Sequence, residues 1–440
     1  MKTCNPLAEA MNRDLQSGAP QILDMLSARG KAIYFPHKGI LGQTAEAKGA
    51  KINATIGTAF ENDGSPLTLE CMESLVNVPS EAFLYAPSFG LPKLRDEWGK
   101  LLTIKNPGLA GKTFSSPVVT AALTHGLSVV GYMFTDPDDE VILPDLYWDN
   151  YDLVFCETYG AKLKFYNTFV NGGFDVASFA RALNEGAPGK RIVLLNFPNN
   201  PTGYTPTEAE AAALLDEIKK SAEAGNKIVV VLDDAYFGLV YEKGIAQESL
   251  FTGLTDLHPN VLGVKLDGAT KEDYVWGCRV GFITFGFKGA DASHLKTLAD
   301  KAAGAVRGTI SNAPCLSQTL LLKAYTSPEY AEQKKRKYET LKERVVEMRK
   351  VFREHPEYAE SFEVMPFNSG YFMCVKPIGV DPEILRKELI ENYSTGVIVL
   401  VGLIRIAFSA VPTQLIGGLF ANIHAAIQKL LWSAGVSPAS

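Results

Sequence analysis

The amino-acid sequence predicts an α/β fold: a large domain with a mainly parallel sheet and helices on both faces, joined to a smaller α+β domain. Between about residues 115 and 290, short β-rich runs alternate with longer segments of helical character. The short runs are almost continuously apolar, which is typical of strands buried on both faces of a helix-covered sheet. Strand, helix and strand in this rhythm indicate βαβ units, whose strands run parallel.

Six candidate strands account for this sheet. They are EVILP (140–144), AKLKFYN (161–167), RIVLLNF (191–197), KIVVVLD (227–233), VLGVKLD (261–267) and RVGFITF (279–285). The helix between the third and fourth strands begins at Thr207, with Glu210 three positions later, which is the pattern of a capping box. Gly225 follows this helix at a position that suits a left-handed C-terminal turn.

The chain is predicted to divide into three regions. Residues 1–60 form an N-terminal arm and part of the small domain, 61–330 the large domain, and 331–440 the C-terminal small domain. A long charged helix over 327–355 leads out of the large domain. Two apolar runs after it, SFEVMPFNSGYFMCVKP and GVIVLVGLIRIAFSAV, predict the strands of the smaller domain.

Composition argues against two classes of partner. The 440 residues carry a net charge of −6, and hydrophobic and charged residues make up 46% and 21%, as in ordinary globular proteins. An acidic chain without an extended Lys/Arg tract is not expected to bind nucleic acid or an anionic membrane. The short KKRK run at 334–337 is interpreted as a solvated face of the long helix.

Cysteine usage and the terminal segments predict a cytoplasmic protein. The six cysteines are scattered without a CxxC pair or metal-ligand spacing, so we expect reduced thiols and no metal site. The N-terminal MKTCNPLAEAMNRD lacks the apolar core of a signal peptide. Polar residues at helical spacing interrupt QLIGGLFANIHAAIQKLLW, which favours an amphipathic surface helix over a membrane span.

Polar side chains follow three neighbouring strands of the predicted sheet. PNNPTG comes after the third strand, DDAY ends the fourth, and DGATK ends the fifth. In open α/β sheets ligands bind outside the carboxyl ends of the strands. We therefore expect four side chains to converge on one crevice: Asn200, Asp233, Tyr236 and Lys271.

An anionic group is also expected in this crevice. Arg279 lies eight residues after Lys271 and supplies a cation. Thr124 begins an apolar helix, whose N-terminal amide groups favour anions. An arginine and a helix N-terminus near the inner ends of buried strands therefore predict that an anionic group binds in this crevice.

Further motifs occur in the same order as in a known family. They are NATIGTAFENDGSP (53–66), YAPSFGLPKLR (85–95), VRGTISNAP (306–314), NSGYF and GLIRIAF. Together with NNPTG, DDAY and the lysine–arginine pair, they resemble the class I aminotransferases of fold type I, which use pyridoxal 5′-phosphate. The aspartate and aromatic amino acid group is the most similar, and the resemblance covers most of the chain.

This resemblance implies an architecture and partners. The large domain over 61–330 is expected to bind pyridoxal 5′-phosphate on a sheet of the seven-stranded type. The expected substrates are a small-molecule amino acid and a 2-oxo acid. The expected assembly is a homodimer with shared active sites.

The resemblance also assigns catalytic roles. Lys271 is expected to form a Schiff base with the cofactor aldehyde and to move the proton at the substrate Cα, for which burial beside cations lowers the pKa of the amine. Asp233 pairs with the pyridinium nitrogen, so that the ring withdraws electrons. Tyr236 and Asn200 hydrogen-bond the phenolic oxygen of the ring. Arg279 holds the phosphate through its planar guanidinium.

The remaining cofactor contacts are predicted in the same way. Thr124 and the backbone N–H groups around Leu123 would complete the phosphate site, and Thr270, whose hydroxyl lies next to Lys271, is a further cofactor contact. Tyr147 and Trp148 are both candidates to stack on the ring, and Trp148 is favoured. Tyr85 corresponds to the tyrosine that reaches a phosphate across the subunit interface.

Three residues are expected to contact the substrate. Arg405 in GLIRIAF corresponds to the arginine that holds the α-carboxylate, and Gly57 to a substrate-contacting glycine. Arg307, four residues before Ser311, corresponds to the arginine that binds the distal carboxylate of aspartate or glutamate from the other subunit. Aromatic amino acids are the alternative donors, with Phe60 and Tyr371 as candidate lining rings, while His125 is interpreted as a satisfied core histidine.

Two departures from the family pattern are visible at the phosphate end. Gly268 stands where the family often has a serine hydroxyl, and TAALTHG has alanine and leucine in place of smaller residues in the phosphate turn. Neither removes a catalytic group, and both indicate an outlying branch.

Two alternatives to transamination stay open from the sequence. The same scaffold also supports a C–S β-lyase, a decarboxylase or an aminocyclopropane-carboxylate-synthase-like reaction, because the cofactor labilises several bonds at Cα. A non-catalytic regulator that binds the cofactor is disfavoured, because no basic recognition helix precedes the matched motifs.

Overall fold

The computed structural model describes residues 5–36 and 39–433. Its strands are β1 (Ile52–Asn53), β2 (Val118–Thr120), β3 (Glu140–Pro144), β4 (Lys162–Tyr166), β5 (Phe169–Val170), β6 (Gly173–Phe174), β7 (Lys190–Asn196), β8 (Lys227–Asp233), β9 (Val261–Gly268), β10 (Gly281–Gly286), β11 (Phe362–Val364), β12 (Phe372–Pro377), β13 (Thr395–Gly396), β14 (Ile398–Leu400) and β15 (Leu403–Ala407).

Helices surround these strands. They are α1 (Pro6–Gly18), α2 (Pro20–Met25), α3 (Ala28–Ala32), α4 (Ile40–Glu46), α5 (Glu70–Ser74), α6 (Pro92–Lys105), α7 (Ala122–Phe134), α8 (Val176–Asn184), α9 (Glu208–Glu223), α10 (Phe251–Leu254), α11 (Ala269–Glu272), α12 (Ala292–Thr309), α13 (Cys315–Tyr325), α14 (Tyr330–Glu354), α15 (Pro382–Tyr393) and α16 (Ile416–Ser433).

A seven-stranded sheet forms the centre of the large domain. Its strand order is β2-β10-β9-β8-β7-β3-β4. The five strands from β9 to β4 are parallel, whereas β10 is antiparallel to both of its neighbours. All six candidate strands are therefore confirmed. The sequence missed β2, which has only three residues and too short a pattern to detect.

The central strands are buried on both faces, as their apolar runs predict. Along β7, Ile192 and Leu194 pack into a core shared with α6, α7 and α12. The alternate residues Val193 and Leu195 pack into a second core with α8, α9 and α10. Successive side chains of a strand point to opposite faces, so a strand between two helical layers needs apolar residues at every position.

The predicted capping box is present at the start of α9. Glu210 N donates to Thr207 Oγ1 at 3.2 Å, and Thr207 N donates to Glu210 Oε2 at 2.8 Å. At the other end, Gly225 has φ of +100°, a conformation that side chains with a Cβ rarely adopt. This helix returns the chain from β7 to the start of β8, which puts the carboxyl ends of both strands at one edge.

The smaller sheet is antiparallel, with strand order β11-β12-β15-β14, and is accompanied by α14, α15 and α16. The N-terminal strand β1 pairs in parallel with β13 of the C-terminal part. The long helix predicted over 327–355 is α14, Tyr330–Glu354. The domain boundaries at residues 60 and 330 stay predictions.

One interpretation of the long helix is wrong in part. Lys335 and Arg336 are exposed, but Lys337 is buried and Lys334 is mostly covered. Lys334 and Lys337 pair with acidic residues of other segments, because the helix presents this edge to the large domain. Charged residues in a helical pattern do not reveal which neighbours cover them.

The C-terminal run forms α16, which buries Leu419, Phe420, Ile423 and Ile427 on one side. Over residues 5–36 and 39–433, the model contains no helix with both the length and the apolar character that a membrane crossing requires.

Candidate active site

A cavity of about 200 Å³ opens at the carboxyl ends of the parallel strands. Eleven of the fourteen predicted site residues line it: Gly57, Leu123, Thr124, Trp148, Asn200, Asp233, Tyr236, Thr270, Lys271, Arg279 and Arg405. Strands β7, β8 and β9 each end at this edge, so their terminal residues meet although they are far apart in sequence.

Lys271 lies in the single helical turn α11, directly after β9. Its Nζ is 4.9 Å from the centre of the Tyr236 ring. Removal from water lowers the pKa of Lys271 to about 8; Asp233 opposes this shift and Arg279 adds to it. An amine with such a pKa is available as a nucleophile and a base near neutral pH.

Asp233 is held by three hydrogen bonds at the end of β8. Tyr151 Oη donates to Asp233 Oδ2 at 2.7 Å, Ala235 N donates to Oδ1 at 3.2 Å, and Asn196 Nδ2 donates to the backbone oxygen at 2.7 Å. Burial raises the pKa of Asp233, so an ionised carboxylate here calls for a cationic partner. A protonated pyridine nitrogen meets that requirement.

Sequence analysis missed Tyr151 and Asn196. Tyr151 is fully buried and lines the cavity beside Trp148, with ring centres 5.6 Å apart in an edge-on arrangement. The segment PDLYWDNY contains three aromatic residues, and the third one was the available signal. Asn196 is the last residue of β7 and gave no signal beyond its place at a strand end.

The phosphate end has an anion-binding character. The Thr270 Oγ1 is buried and has no hydrogen-bond partner among residues 5–36 and 39–433. Arg279 donates only a long hydrogen bond, 3.5 Å from Nη1 to the Trp276 oxygen, within the described residues. Helix α7 begins at Ala122, so the free amide groups of its first turn lie at the cavity beside Leu123 and Thr124. These donors fit the phosphate of pyridoxal 5′-phosphate.

Steric crowding explains why position 268 is a glycine. A Cβ there would lie 2.7 Å from the Gly281 Cα and 2.7 Å from the Val280 oxygen. Strands β9 and β10 approach too closely at this point for a side chain. The hydroxyl that the family often has here is absent because the neighbouring strand occupies its space, and Thr270 supplies the hydroxyl of this turn.

Arg405 is a buried cation without a carboxylate at hydrogen-bond distance in the described chain. Its Nη1 donates to Asn200 Oδ1 at 3.2 Å, Nη2 donates to the Thr55 oxygen at 3.1 Å, and Nε has no partner. Burial lowers the pKa of the guanidinium. A buried charge with neutral acceptors alone is costly, so this site fits an incoming carboxylate.

Three predicted site residues lie outside this cavity. Tyr85 is 93% exposed. Arg307 is exposed near the end of α12, where Nη1 donates to Ser311 Oγ at 2.7 Å. Tyr147 turns away, and its hydroxyl donates to Asp152 Oδ2 at 2.8 Å. Of the two candidate stacking residues, Trp148 alone lines the cavity.

Three other side chains named from the sequence also lie off the cavity. Tyr371 does not line the cavity; it lies behind it, and its hydroxyl donates to the Lys271 backbone oxygen at 2.9 Å. Phe60 also lies off the cavity, and Phe372 takes the lining position. His125 accepts from Ala121 N at 3.1 Å and its Nε2 pairs with Thr309 Oγ1 at 3.0 Å, so it is satisfied as expected, but it is half-buried and not a core residue.

A lysine of low pKa, a buried aspartate and an anion site around one cavity of this fold define a pyridoxal-phosphate-dependent enzyme. Residues 63–422 match the family model for aminotransferase class I and II, and the chain belongs to this family. The resemblance drawn from the motifs is confirmed. The protein is therefore an aminotransferase that uses pyridoxal 5′-phosphate and acts on an amino acid and a 2-oxo acid.

Individual relatives agree with this assignment. The chain is 24% identical over 323 residues to the cytoplasmic aspartate aminotransferase of Saccharomyces cerevisiae, covering 70% of this chain and 75% of the relative. The crystal structure of an aminotransferase from Anaerococcus prevotii superposes with a TM-score of 0.80 at 21% identity, covering 91% of this chain and 98% of that one. The yeast cytoplasmic enzyme superposes with a TM-score of 0.75 at 19% identity, covering 93% and 100%. These superpositions show the same fold.

Proposed function

We propose that the protein transfers the amino group of a dicarboxylic amino acid, aspartate or glutamate, to a 2-oxo acid, as a cytoplasmic homodimer. The observation that carries the proposal is the shared cavity of Lys271 and Arg405. It joins an amine of low pKa to a buried cation with a free donor. The yeast relative bears the name of a cytoplasmic aspartate aminotransferase, and the scattered cysteines of this chain agree with a reducing compartment.

Each end of the cavity would hold one part of the cofactor. Asp233 would pair with the ring nitrogen, and Trp148 would cover a ring face. Tyr236 and Asn200 would hydrogen-bond the ring oxygen. Arg279, Thr270, Thr124 and the backbone at Leu123 would hold the phosphate. When bound, pyridoxal 5′-phosphate supplies an aldehyde for the amino group and a ring that withdraws electrons from Cα.

Lys271 would then carry the proton. With a pKa of about 8, a minor but useful fraction of its Nζ is neutral near pH 7 and can take the proton from the substrate Cα. The protonated Nζ would then give this proton to the cofactor carbon. The Tyr371 hydroxyl donates to the Lys271 backbone oxygen, so the backbone of this lysine stays in place while its side chain moves.

Arg405 would fix the direction of the substrate. Its free Nε and the adjacent Nη groups suit a carboxylate with two hydrogen bonds. A substrate held there by its α-carboxylate places its Cα toward Lys271, because both side chains face the same small cavity. Gly57 leaves room beside the Phe372 ring, to which a Cβ at this glycine would come within 3.5 Å.

The exposed positions of Tyr85 and Arg307 support a shared site. Neither side chain reaches the cavity of its own chain, although both match family motifs. In a homodimer Tyr85 would reach the phosphate of the partner subunit, and Arg307 would bind the distal carboxylate of the substrate there. Aromatic amino acids are a second class of donor, favoured by the apolar wall of Ile40, Trp148 and Phe372.

The test is the visible absorption of the purified protein before and after addition of each donor. We expect a band from the bound cofactor that disappears with aspartate or glutamate, with formation of the matching oxo acid. Phenylalanine added separately shows whether aromatic donors share the site. Release of pyruvate and ammonia would indicate lyase chemistry instead. The absence of the band with added cofactor would contradict the role given to Lys271.

A further inference from the structure

Two acidic residues follow Lys271 directly, and both are buried. Glu272 Oε1 lies 2.9 Å from Lys105 Nζ and 2.8 Å from Lys334 Nζ. Asp273 Oδ1 accepts from Lys334 Nζ at 2.9 Å. The two carboxylates are 3% and 1% exposed, so the acidic partner of all three ion pairs lies within the protein.

The partners of these carboxylates come from separate helices. Lys105 ends α6, whereas Lys334 lies in α14, the helix that leads to the small sheet. Tyr325 at the end of α13 and Tyr330 at the start of α14 donate to the two oxygens of Asp273 at 2.8 and 2.6 Å. The segment after Lys271 is therefore tied to three helices at once.

Stability alone is a weak reason for such a cluster. Two charges taken out of water lose about as much hydration energy as they regain from each other, and apolar replacements are often equally stable. A buried ionic cluster does fix geometry, because each carboxylate has only a few acceptable positions. Lys105 and Lys334 hold the pKa of Glu272 well below its usual range, so Glu272 stays ionised at neutral pH.

Lys271 needs such support. Helix α11 is one turn of four residues, and an isolated turn of this length is not stable. Three side-chain anchors hold it: Tyr371 binds the Lys271 backbone oxygen, and the next two residues are fixed through their carboxylates. The lysine side chain, by contrast, faces the cavity.

The same cluster reaches the residue after Asp233. Asp234 pairs with Lys265 of β9, and Lys265 also lies 3.4 Å from Asp267 Oδ2. Trp98 Nε1 donates to Asp267 Oδ1 at 3.1 Å, and Lys105 Nζ lies 3.9 Å above the Trp98 ring. The catalytic lysine and the ring-binding aspartate are each followed by a carboxylate of one continuous buried network.

We propose that Glu272 and Asp273 are positioning residues for Lys271, with Lys334 as their shared counter-ion on α14. They act through the backbone and do not touch the substrate. The inference rests on the proposed role of Lys271. It adds that the exact place of its Nζ, and hence the proton transfer, depends on a charged tether behind the cavity.

The test compares three variants of the full-length holoenzyme: Glu272→Gln, Lys334→Met and the control Lys337→Met. Lys337 lies on the same helix, is also buried, and pairs with Glu61 and Glu70 away from Lys271. Each variant is measured for kcat, KM, the pH midpoint of the cofactor absorption band and thermal stability.

For Glu272→Gln and Lys334→Met we expect kcat to fall about 10- to 100-fold while KM changes less than about 3-fold, because misplacement by a fraction of an ångström impairs proton transfer. The pH midpoint of the band should also move. Lys337→Met should lose thermal stability alone. Glu272→Asp keeps the charge and should recover part of kcat, which keeps the test decisive if Glu272→Gln folds poorly.

Wild-type kcat and band midpoint in Glu272→Gln and Lys334→Met, with only a lower melting temperature, would overturn the inference and leave a structural role. The same losses in Lys337→Met would also overturn it. Failure of the proposed function gives a different result, because then the wild-type protein itself shows no band and no transamination.

Discussion

The two sides of Lys271 differ in how completely their polar groups are satisfied. On the cavity side, Thr270 Oγ1 and Arg405 Nε are buried without a hydrogen-bond partner in the described chain. On the opposite side, the carboxylates of Glu272 and Asp273 accept six hydrogen bonds between them from the described residues. Buried polar groups are normally paired, so unpaired ones that also line a cavity, as Thr270 and Arg405 do, mark where a ligand can complete the structure. The cavity side of Lys271 is therefore suited to binding a ligand, whereas the network side fixes the position of the Lys271 backbone.

The largest expected effect comes from a test of whether the active site needs a residue from the partner subunit. Lys271→Ala should lower kcat by roughly 10⁴-fold, because the amine that Lys271 brings to the cavity is lost. Arg307→Ala should reduce kcat/KM for aspartate and glutamate far more than for phenylalanine. The Lys271→Ala and Arg307→Ala proteins are then mixed, dissociated and reassociated. Activity with aspartate should return, because one site of the hybrid dimer has both Lys271 from one subunit and Arg307 from the other.

Regained activity is measured against each variant reassociated alone. Arg349→Ala, which removes a surface-facing arginine of α14 paired with Glu242, serves as the neutral partner in the control mixture. Aspartate and glutamate kinetics unchanged by Arg307→Ala would exclude its role in substrate choice. A mixture as inactive as its components would exclude the sharing of this residue between subunits.

The next test concerns Arg405, whose guanidinium has only neutral acceptors and whose Nε has no partner within the described chain. Arg405→Lys should lower kcat/KM about 100-fold for every amino donor, because lysine cannot reproduce two parallel hydrogen bonds to a carboxylate. Steady-state kinetics with aspartate, glutamate and phenylalanine provide the measurement. Arg349→Lys should leave all three unchanged, because Arg349 is remote from the cavity and donates from Nε and Nη2 to Glu242 Oε1. A loss confined to the dicarboxylic donors would show that Arg405 binds the distal group instead.

A smaller effect is expected from a comparison of two threonines whose hydroxyls are both buried without a hydrogen-bond partner in the described chain. The hydroxyls of Thr270 and Thr284 are both buried and unpaired within the described chain, but only Thr270 lines the cavity. Thr270→Val should weaken cofactor binding about 10- to 100-fold, the value of one hydrogen bond to a charged group. Thr284→Val should leave binding unchanged and stabilise the fold slightly. Dissociation constants for the cofactor decide the matter, and equal losses in both would contradict the contrast.

The smallest effect is a pH dependence of stability in the cofactor-free protein. The unfolded chain keeps the proton of this lysine up to about pH 10.4, whereas in the folded protein the pKa of Lys271 is about 8. Between these values the unfolded state binds more protons, so stability should rise with pH by on the order of 1–3 kcal/mol. Lys271→Met should lack this rise. Urea denaturation at about pH 7.5 and about pH 10 measures it, and parallel curves for both proteins would contradict the low pKa.

Much of the fold was accessible from local pattern. The six runs from EVILP to RVGFITF became strands because continuous apolar character leaves few other options between two helical layers. Thr207 and Glu210 formed their capping box because that interaction involves only four consecutive residues. The short strand β2 and the antiparallel direction of β10 escaped, since both depend on pairing with segments distant in sequence.

The sequence by itself determined the residues at the strand ends, and with them the family and the cofactor. Only the tertiary structure decided which aromatic residue faces the cavity, that Tyr151 supports Asp233, and that Lys334 is covered and paired. The physical reason is the separation along the chain of the residues that interact. Strand periodicity and turn chemistry are local, whereas burial and pairing depend on which distant segment arrives as neighbour. A lysine on a charged helix has the same sequence pattern whether water or Glu272 lies beside it.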